Sequence, residues 1–174
     1  MTEYACIAAD PPWNERGGGK IKRGADRHYP LMKTPDIIEC MLTASVWRPA
    51  ESCHLWLWAT NHLRDALTVM EALGFRYIRT MAWVKQHNDK LQIGLGQYMR
   101  GSHELCLFGV RGKTMRPEKA PPSVVIAERS KHSSKPAEAF AAIEQVSPGP
   151  RLEMFAREPR AGWDVWGNEI GVAA

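Results

Sequence analysis

The chain has 174 residues, with 23 lysines and arginines against 19 acidic residues, a net charge of +4 and a pI near 9.0. A content of 44% hydrophobic and 24% charged residues excludes a disordered tail or a fibrous array. No stretch approaches the roughly 20 apolar residues of a membrane-spanning helix. We therefore expect one soluble domain over residues 1–174, and a cytoplasmic location because no signal-peptide pattern is visible. The mild positive charge admits acidic partners.

Hydrophobic patterns predict strands and helices in alternation from the start of the chain. The first strand, Tyr4 to Ala9, stops at Asp10-Pro11-Pro12-Trp13, because two prolines cannot continue a central ladder. Residues 14–30 are rich in Gly, Arg and Lys and have no regular period, which is typical of a loop. A helix is predicted to begin at Thr34-Pro35, with Thr34 as N-cap and proline in the first helical position.

The alternation continues to the end of the chain. A second strand is predicted from His54 to Thr60, and Asn61 can cap a helix that Gly74 ends. The later predicted elements are strands at 75–84, 104–110, 123–127, 152–156 and 163–166, a loop at 85–102, and a helix that begins at Pro136 and closes at Ser147-Pro148-Gly149. This order favours a mainly parallel sheet that is covered on both faces.

The Asp-Pro-Pro-Trp tetrapeptide is the strongest chemical signal. An exocyclic purine amine is a poor nucleophile because its lone pair is delocalised into the ring. The Asp10 carboxylate and the Pro11 carbonyl can each accept one amine hydrogen and localise that lone pair for attack on a sulfonium methyl. Trp13 can stack an extruded base, which is worth roughly 1–3 kcal/mol. In the competing interpretation, Pro11-Pro12 only ends a strand and Trp13 belongs to the core.

A series of short motifs runs through most of the chain. In order they are Asp10-Pro11-Pro12-Trp13, Tyr29-Pro30-Leu31-Met32, Leu57-Trp58-Ala59-Thr60-Asn61, Gly74-Phe75, Trp83-Val84-Lys85, Gly96-Gln97-Tyr98, His103-Glu104, Leu107-Phe108-Gly109, Ser134-Lys135-Pro136, Ser147-Pro148-Gly149, Leu152 to Arg157, and Gly162-Trp163 to Gly167-Asn168-Glu169. Together they resemble the DPPW-type N6-adenine methyltransferases. That family includes the catalytic subunit of the eukaryotic mRNA adenosine methyltransferase and many bacterial and phage DNA enzymes. The resemblance implies a Rossmann-like, S-adenosylmethionine-dependent α/β fold in permuted order, with the catalytic strand first.

The resemblance also implies a set of cofactor-binding residues, namely Asp10, Lys135, Glu153, Phe155, Arg157, Asn168 and Glu169. Lys135 would meet the methionine carboxylate of S-adenosylmethionine as a point charge. Asn168 and Glu169 would hydrogen-bond the ribose or the adenine edge. Glu153 lies in an apolar strand and needs a partner when buried. The strand period of two favours Arg157, so a structural Glu153–Arg157 pair and a direct cofactor contact both stay open.

A second set of residues is predicted to contact the nucleic acid. Its members are Tyr29, which would border the target base, and the cations Arg16, Lys20, Lys22, Arg23 and Lys85. The Gly17-Gly18-Gly19-Lys20 segment lacks the spacing of a phosphate-binding P-loop, so we interpret it as part of a loop that faces the nucleic acid. The alternative is a solvated surface loop. No Cys or His spacing predicts a metal site.

The expected activity is therefore methylation of the N6 amine of adenine in double-stranded DNA, without a membrane partner. The alternatives are RNA N6-adenosine methylation, N4-cytosine methylation and a non-catalytic nucleic-acid-binding subunit. The extended motif match argues against cytosine, and the intact tetrapeptide argues against a silent subunit. The sequence leaves the oligomeric state open, with a homodimer among the arrangements considered. Larger relatives hold the cofactor adenine with a segment before the catalytic strand, a role expected here of residues near Ser130 to Ser133.

Overall fold

The computed structural model describes residues 1–14, 31–113, 115–129, 134–168 and 170. The elements in chain order are β1 (Tyr4–Ala9), α1 (Thr34–Thr43), β2 (Pro49–Trp58), α2 (Leu63–Ala72), β3 (Arg76–His87), β4 (Lys90–Leu91), β5 (His103–Arg111), β6 (Val124–Glu128), α3 (Ala137–Val146), β7 (Arg151–Met154) and β8 (Asp164–Trp166). Helices and strands alternate from β1 to β3, whereas β3 to β6, and β7 and β8, follow one another without a helix between them. None of the helices in this part of the chain is long and apolar enough to cross a membrane.

One sheet holds all of these strands, in the order β4-β3-β5-β2-β1-β7-β8, with β6 pairing beside β3. β1 lies between β2 and β7 and is parallel to both. β5 runs antiparallel to its neighbours β2 and β3, whereas β6 is parallel to β3 and β8 is parallel to β7. The prediction of an α/β fold is confirmed, but the sheet is mixed rather than mainly parallel, because β5 runs antiparallel to β2 and β3, and β4 runs antiparallel to β3. The permuted order relative to other methyltransferases stays a prediction.

Both faces of the sheet are covered, because its central strands are apolar on both sides. Leu55 and Leu57 of β2 point to one face, where α1 and α2 complete a buried cluster. Trp56 and Trp58, which alternate with them, point to the other face, where α3 completes a second cluster. The tryptophans interpreted as core residues, Trp56, Trp58 and Trp83, are all buried. Helices α1 and α2 on one face and α3 on the other thus cover β1, the strand that leads to Asp10.

Some element boundaries differ from the prediction. Lys33, rather than Thr34, precedes α1, and the Thr34 hydroxyl donates to Asp65 of α2 instead of capping its own helix. His62 rather than Asn61 precedes α2. The predicted loop at 85–102 contains the end of β3 and all of β4. Tertiary pairing extends strands that the local pattern marks only by their most apolar residues.

Candidate active site

The tetrapeptide Asp10-Pro11-Pro12-Trp13 follows the carboxyl end of β1, the edge at which parallel α/β sheets bind ligands. Three hydrogen bonds fix it there. The Asp10 N–H donates to the Met154 carbonyl at 3.4 Å, and the Pro12 carbonyl accepts the Met32 N–H at 2.8 Å. The Trp13 indole N–H donates to the Trp58 carbonyl at 2.8 Å. The tetrapeptide is therefore anchored to both neighbouring strands of the sheet.

Trp13 is 4% exposed and belongs to the core cluster on the α1 and α2 face. Its ring stacks on His62 at 6.1 Å between centroids and 8° between planes. The expectation that Trp13 offers an open face to a base is therefore corrected for this structure, because the core already covers the ring. The Pro11 carbonyl accepts the Trp13 N–H at 2.9 Å, so one of its two lone pairs remains for an amine hydrogen.

A chain of alternating charges runs from Asp10 across the sheet. The Lys135 ammonium lies 2.5 Å from Asp10 Oδ2 and 3.3 Å from Glu104 Oε2. Glu104 Oε1 in turn lies 2.5 Å from the Lys85 ammonium. Lys135 also sits over the Trp58 ring, at 5.1 Å from its centroid, and its side chain is only 9% exposed. The structure thus brings together three residues predicted for different roles and adds Glu104 between them.

The charges of this chain support one another. Burial by itself would lower the pKa of Lys135, but the Asp10 and Glu104 carboxylates outweigh it and raise that pKa. Burial by itself would raise the pKa of Glu104, but Lys135 and Lys85 hold it below its ordinary value. Both groups are therefore charged at neutral pH, and Lys135 already has two anionic partners.

Asp10 borders a cleft at this edge of the sheet that contains about 400 Å³ of empty space, including its open mouth. Its lining consists of Ala8, Ala9, Asp10, Trp58, Ser134, Lys135, Phe140, Glu153, Phe155, Arg157, Glu158 and Arg160. Of the predicted cofactor residues, Asp10, Lys135, Glu153, Phe155 and Arg157 line this cleft together.

Glu153 pairs with Arg160 and not with the predicted Arg157. Arg160 Nε lies 2.9 Å from Glu153 Oε2, and the guanidinium covers the Phe140 ring at 3.4 Å from its centroid. β7 ends at Met154, and Phe155 adopts a positive φ of 60°, so the period of two does not extend to Arg157. Burial raises the pKa of Glu153, and the Arg160 charge opposes that rise. The sequence offers no local signal for this pairing.

The remaining predicted residues are less informative. Asn168 is exposed beyond β8 and does not line the cleft; it follows Gly167, where a Cβ would lie 2.8 Å from the Ala156 nitrogen. Among the described residues, Lys85 is joined to the site through Glu104. The predicted residues Arg16, Lys20, Lys22, Arg23, Tyr29 and Glu169, and the segment 130–133 expected to hold the cofactor adenine, lie outside the described residues.

An α/β sheet with Asp10-Pro11-Pro12-Trp13 at the carboxyl end of its central strand is what the resemblance to the DPPW-type methyltransferases implies. The MT-A70 family profile matches residues 4–169, so the chain belongs to the MT-A70 family of S-adenosylmethionine-dependent N6-adenine methyltransferases. The chain is 28% identical over 191 residues to the type II methyltransferase M.MunI of Mycoplasma sp, covering 97% of this chain and 78% of that protein. It is 28% identical over 174 residues to an Arabidopsis thaliana N(6)-adenosine-methyltransferase MT-A70-like protein, covering 96% of this chain and 24% of that protein.

The human N(6)-adenosine-methyltransferase catalytic subunit METTL3 is 26% identical over 178 residues, which are 98% of this chain and 29% of that protein. The chain therefore spans about a quarter of the length of the plant and animal relatives and about three quarters of the bacterial one. Relatives named for adenosine methylation and a type II methyltransferase match it at similar identity. Identity alone does not separate their substrates.

Proposed function

We propose that this chain transfers a methyl group from S-adenosylmethionine to the N6 amine of adenine in double-stranded DNA. The observation that carries the proposal is the position of Asp10: its carboxylate borders the cleft at the carboxyl end of the central strand and is held there by the buried Lys135. The first lone pair of the Pro11 carbonyl is occupied, and the second remains for the amine. Two acceptors at one edge of the sheet are what amine activation requires.

The cofactor supplies a sulfonium methyl, and the residues of this chain supply acceptors and charge. Asp10 and the Pro11 carbonyl accept the two amine hydrogens, which directs the nitrogen lone pair at the methyl carbon. The bound cofactor would supply the methyl carbon, whose bond to sulfur would break as its bond to the amine nitrogen forms. The surplus proton of the amine then passes by way of the Asp10 carboxylate to solvent. Lys135 limits the rotation of that carboxylate, because two anions hold its ammonium in place.

The charges of the cleft fit a zwitterionic cofactor, and they favour a different partner for its carboxylate. Lys135 is shared by Asp10 and Glu104 at 2.5 and 3.3 Å, so a third carboxylate would compete with both. Arg160 uses its Nε for Glu153, while its terminal nitrogens make no hydrogen bond with the described residues. Because a guanidinium binds carboxylates bidentately, we assign the methionine carboxylate to Arg160.

Arg160→Gln is expected to weaken S-adenosylhomocysteine binding by roughly 10–100-fold, because a charged hydrogen bond is lost. Binding of 5′-methylthioadenosine, which lacks the amino-acid carboxylate, should change by less than about threefold on the same reasoning. Isothermal titration calorimetry of both ligands measures the difference, with the exposed Arg64→Gln on α2 as the matched control. Equal losses of affinity for the two ligands would show that Arg160 only packs in the cleft. A loss of affinity in Lys135→Gln that is specific to S-adenosylhomocysteine would show that Lys135 binds the methionine carboxylate.

The choice of DNA rests on the match to M.MunI, because type II methyltransferases are modification enzymes of DNA and most of M.MunI aligns with this chain. The cations Arg16, Lys20, Lys22 and Arg23 and the aromatic Tyr29 remain proposed contacts to it. RNA is the second candidate, supported by the relatives named as adenosine methyltransferases.

One experiment decides between the substrates. The protein is incubated with labelled S-adenosylmethionine and equal amounts of duplex DNA, single-stranded DNA or RNA, and each product is digested to nucleosides. N6-methyldeoxyadenosine from the duplex is the expected product. N6-methyladenosine from RNA alone would replace DNA by RNA, N4-methyldeoxycytidine would change the target base, and no product in any arm would contradict the proposed activity.

A further inference from the structure

The segment between β3 and β5 is held in shape by hydrogen bonds within the segment. Asn88 and Asp89 have positive φ values of 49° and 57°, as a tight two-residue hairpin turn requires. Beyond β4, the Gly94 N–H donates to the Gly101 carbonyl at 2.7 Å, so the chain turns back on itself between these two residues. Arg100 Nε also donates to the Gly94 carbonyl at 2.8 Å. The backbone of this loop, residues 94–101, is therefore preformed.

Glycine is needed for that closed shape. A Cβ on Gly94 would lie 2.6 Å from the Gly101 carbonyl oxygen, and one on Gly96 would collide with the Met99 carbonyl oxygen. Two positions of the loop thus exclude every side chain so that the backbone can turn back on itself.

The large side chains of this loop are mostly apolar and exposed to solvent. Tyr98 is 99% exposed, Met99 is 87% exposed and Leu95 is 74% exposed. Fixing a backbone in one conformation costs conformational entropy. Because the large apolar side chains of this loop stay in water, their burial within the chain does not offset that cost. Exposed apolar groups of this kind mark an interaction site.

The base of the loop is connected to Asp10 through a series of ion pairs. The Lys85 N–H donates to the Ser102 carbonyl at 2.8 Å, which closes the loop segment, and the Lys85 side chain binds Glu104 at the start of β5. Glu104 contacts Lys135, and Lys135 contacts Asp10. The base of the loop is therefore connected to the same ion pairs that hold Asp10, the proposed amine acceptor. Between residues 88 and 102 it carries the cations Lys90 and Arg100 against one carboxylate, which suits a polyanion.

We infer that the 94–101 loop is a wedge that enters duplex nucleic acid beside the target adenine. This inference rests on the proposed function in one respect, that the base must leave the helix to reach Asp10. Flipping a base unstacks it and leaves a gap, and apolar side chains inserted between base steps fill such gaps in other proteins. Tyr98 and Met99 take the place of the flipped base, while Lys90 and Arg100 contact the flanking phosphates.

The test combines two measurements that do not need methyl transfer with one that does. Hydrogen exchange of residues 94–101 should slow when a duplex carrying the target adenine and S-adenosylhomocysteine are added. A 2-aminopurine in the target position should become brighter on binding to the wild-type protein. The double variant Tyr98→Ala, Met99→Ala should lose that increase, while Leu42→Ala, which removes an exposed leucine on α1, should keep it.

In the methylation assay, the double variant should be slower by at least about tenfold on the paired adenine, and by less than about threefold on the same adenine in single-stranded DNA. Exchange that the duplex leaves unchanged, or equal losses on both substrates, would overturn the wedge. Protection that follows protein concentration in the absence of nucleic acid would overturn it too and assign the tip to a contact between copies. A wild-type protein that shows protection and brightening without methylating would contradict the proposed function and leave the wedge standing.

Discussion

Asp10→Asn is expected to lower kcat for methyl transfer by about 10²–10³-fold, the usual effect of removing one preorganised group that stabilises a transition state. The amide keeps the shape of the carboxylate, but it loses the charge that attracts the amine hydrogens and presents N–H groups of its own. The rate should be measured at saturating S-adenosylmethionine, so that any change in cofactor affinity does not contribute.

Melting temperature and S-adenosylhomocysteine affinity serve as controls for Asp10→Asn, because Lys135 keeps Glu104 as a partner in this variant. Glu39→Gln, which removes an exposed carboxylate from α1, should retain full kcat. Wild-type turnover in Asp10→Asn would show that Asp10 is not the amine acceptor.

Lys135→Met is expected to lower the free energy of unfolding by about 3–5 kcal/mol at neutral pH, because two partly buried carboxylates lose the cation between them. In the wild type, the lowered pKa of Glu104 means that this pairing stabilises the protein above the ordinary carboxyl pKa and is lost as pH falls through the lower, folded value. In the variant, Glu104 keeps Lys85 but loses Lys135, so the folded protein protonates Glu104 more readily than the wild type does. The difference between the two proteins should therefore shrink as the pH falls from 7.5 toward about 5.

Urea unfolding at several pH values measures this difference. Lys113→Met, which removes an exposed lysine beyond β5, is the matched control and should unfold like the wild type. A loss of stability in Lys135→Met that is the same at every pH would attribute the effect to packing over Trp58 instead of charge.

The sequence predicts β1 with the bounds that the structure has, because a strand interrupted by two prolines leaves little choice. The antiparallel direction of β5 could not be predicted, because an apolar run does not indicate how a strand is oriented relative to its neighbours. The Glu104–Lys135 contact joins residues on separate elements, and no local pattern encodes it. A charged residue at the start of an apolar strand does indicate that Glu104 needs a partner. Glu153 pairs with Arg160 instead of Arg157 because the chain turns at Phe155, and the strand period does not reveal this turn.

Motifs can single out candidate site residues, but they do not give the packing around them. The tetrapeptide and Lys135 were identified from motifs, and the structure shows that they touch. The chemistry of Trp13 predicts contact with a base at the surface, but the ring is buried against His62 and the core beneath it. Burial of a single aromatic residue depends on the packing of the whole chain, which a motif does not contain.

The alternating charges from Lys85 to Asp10 have a thermodynamic consequence. Lys85 lies at the base of the segment that carries the 94–101 loop, so a substrate that displaces this lysine would remove one cation from Glu104 and strengthen the hold of Glu104 on Lys135. Asp10 then competes less well for Lys135 and turns more freely toward an incoming amine. Because such coupling is reciprocal, a ligand that engages Asp10 in the cleft changes the affinity of the loop for its substrate by the same factor. Four side chains therefore connect the occupancy of one end of the site to the affinity of the other.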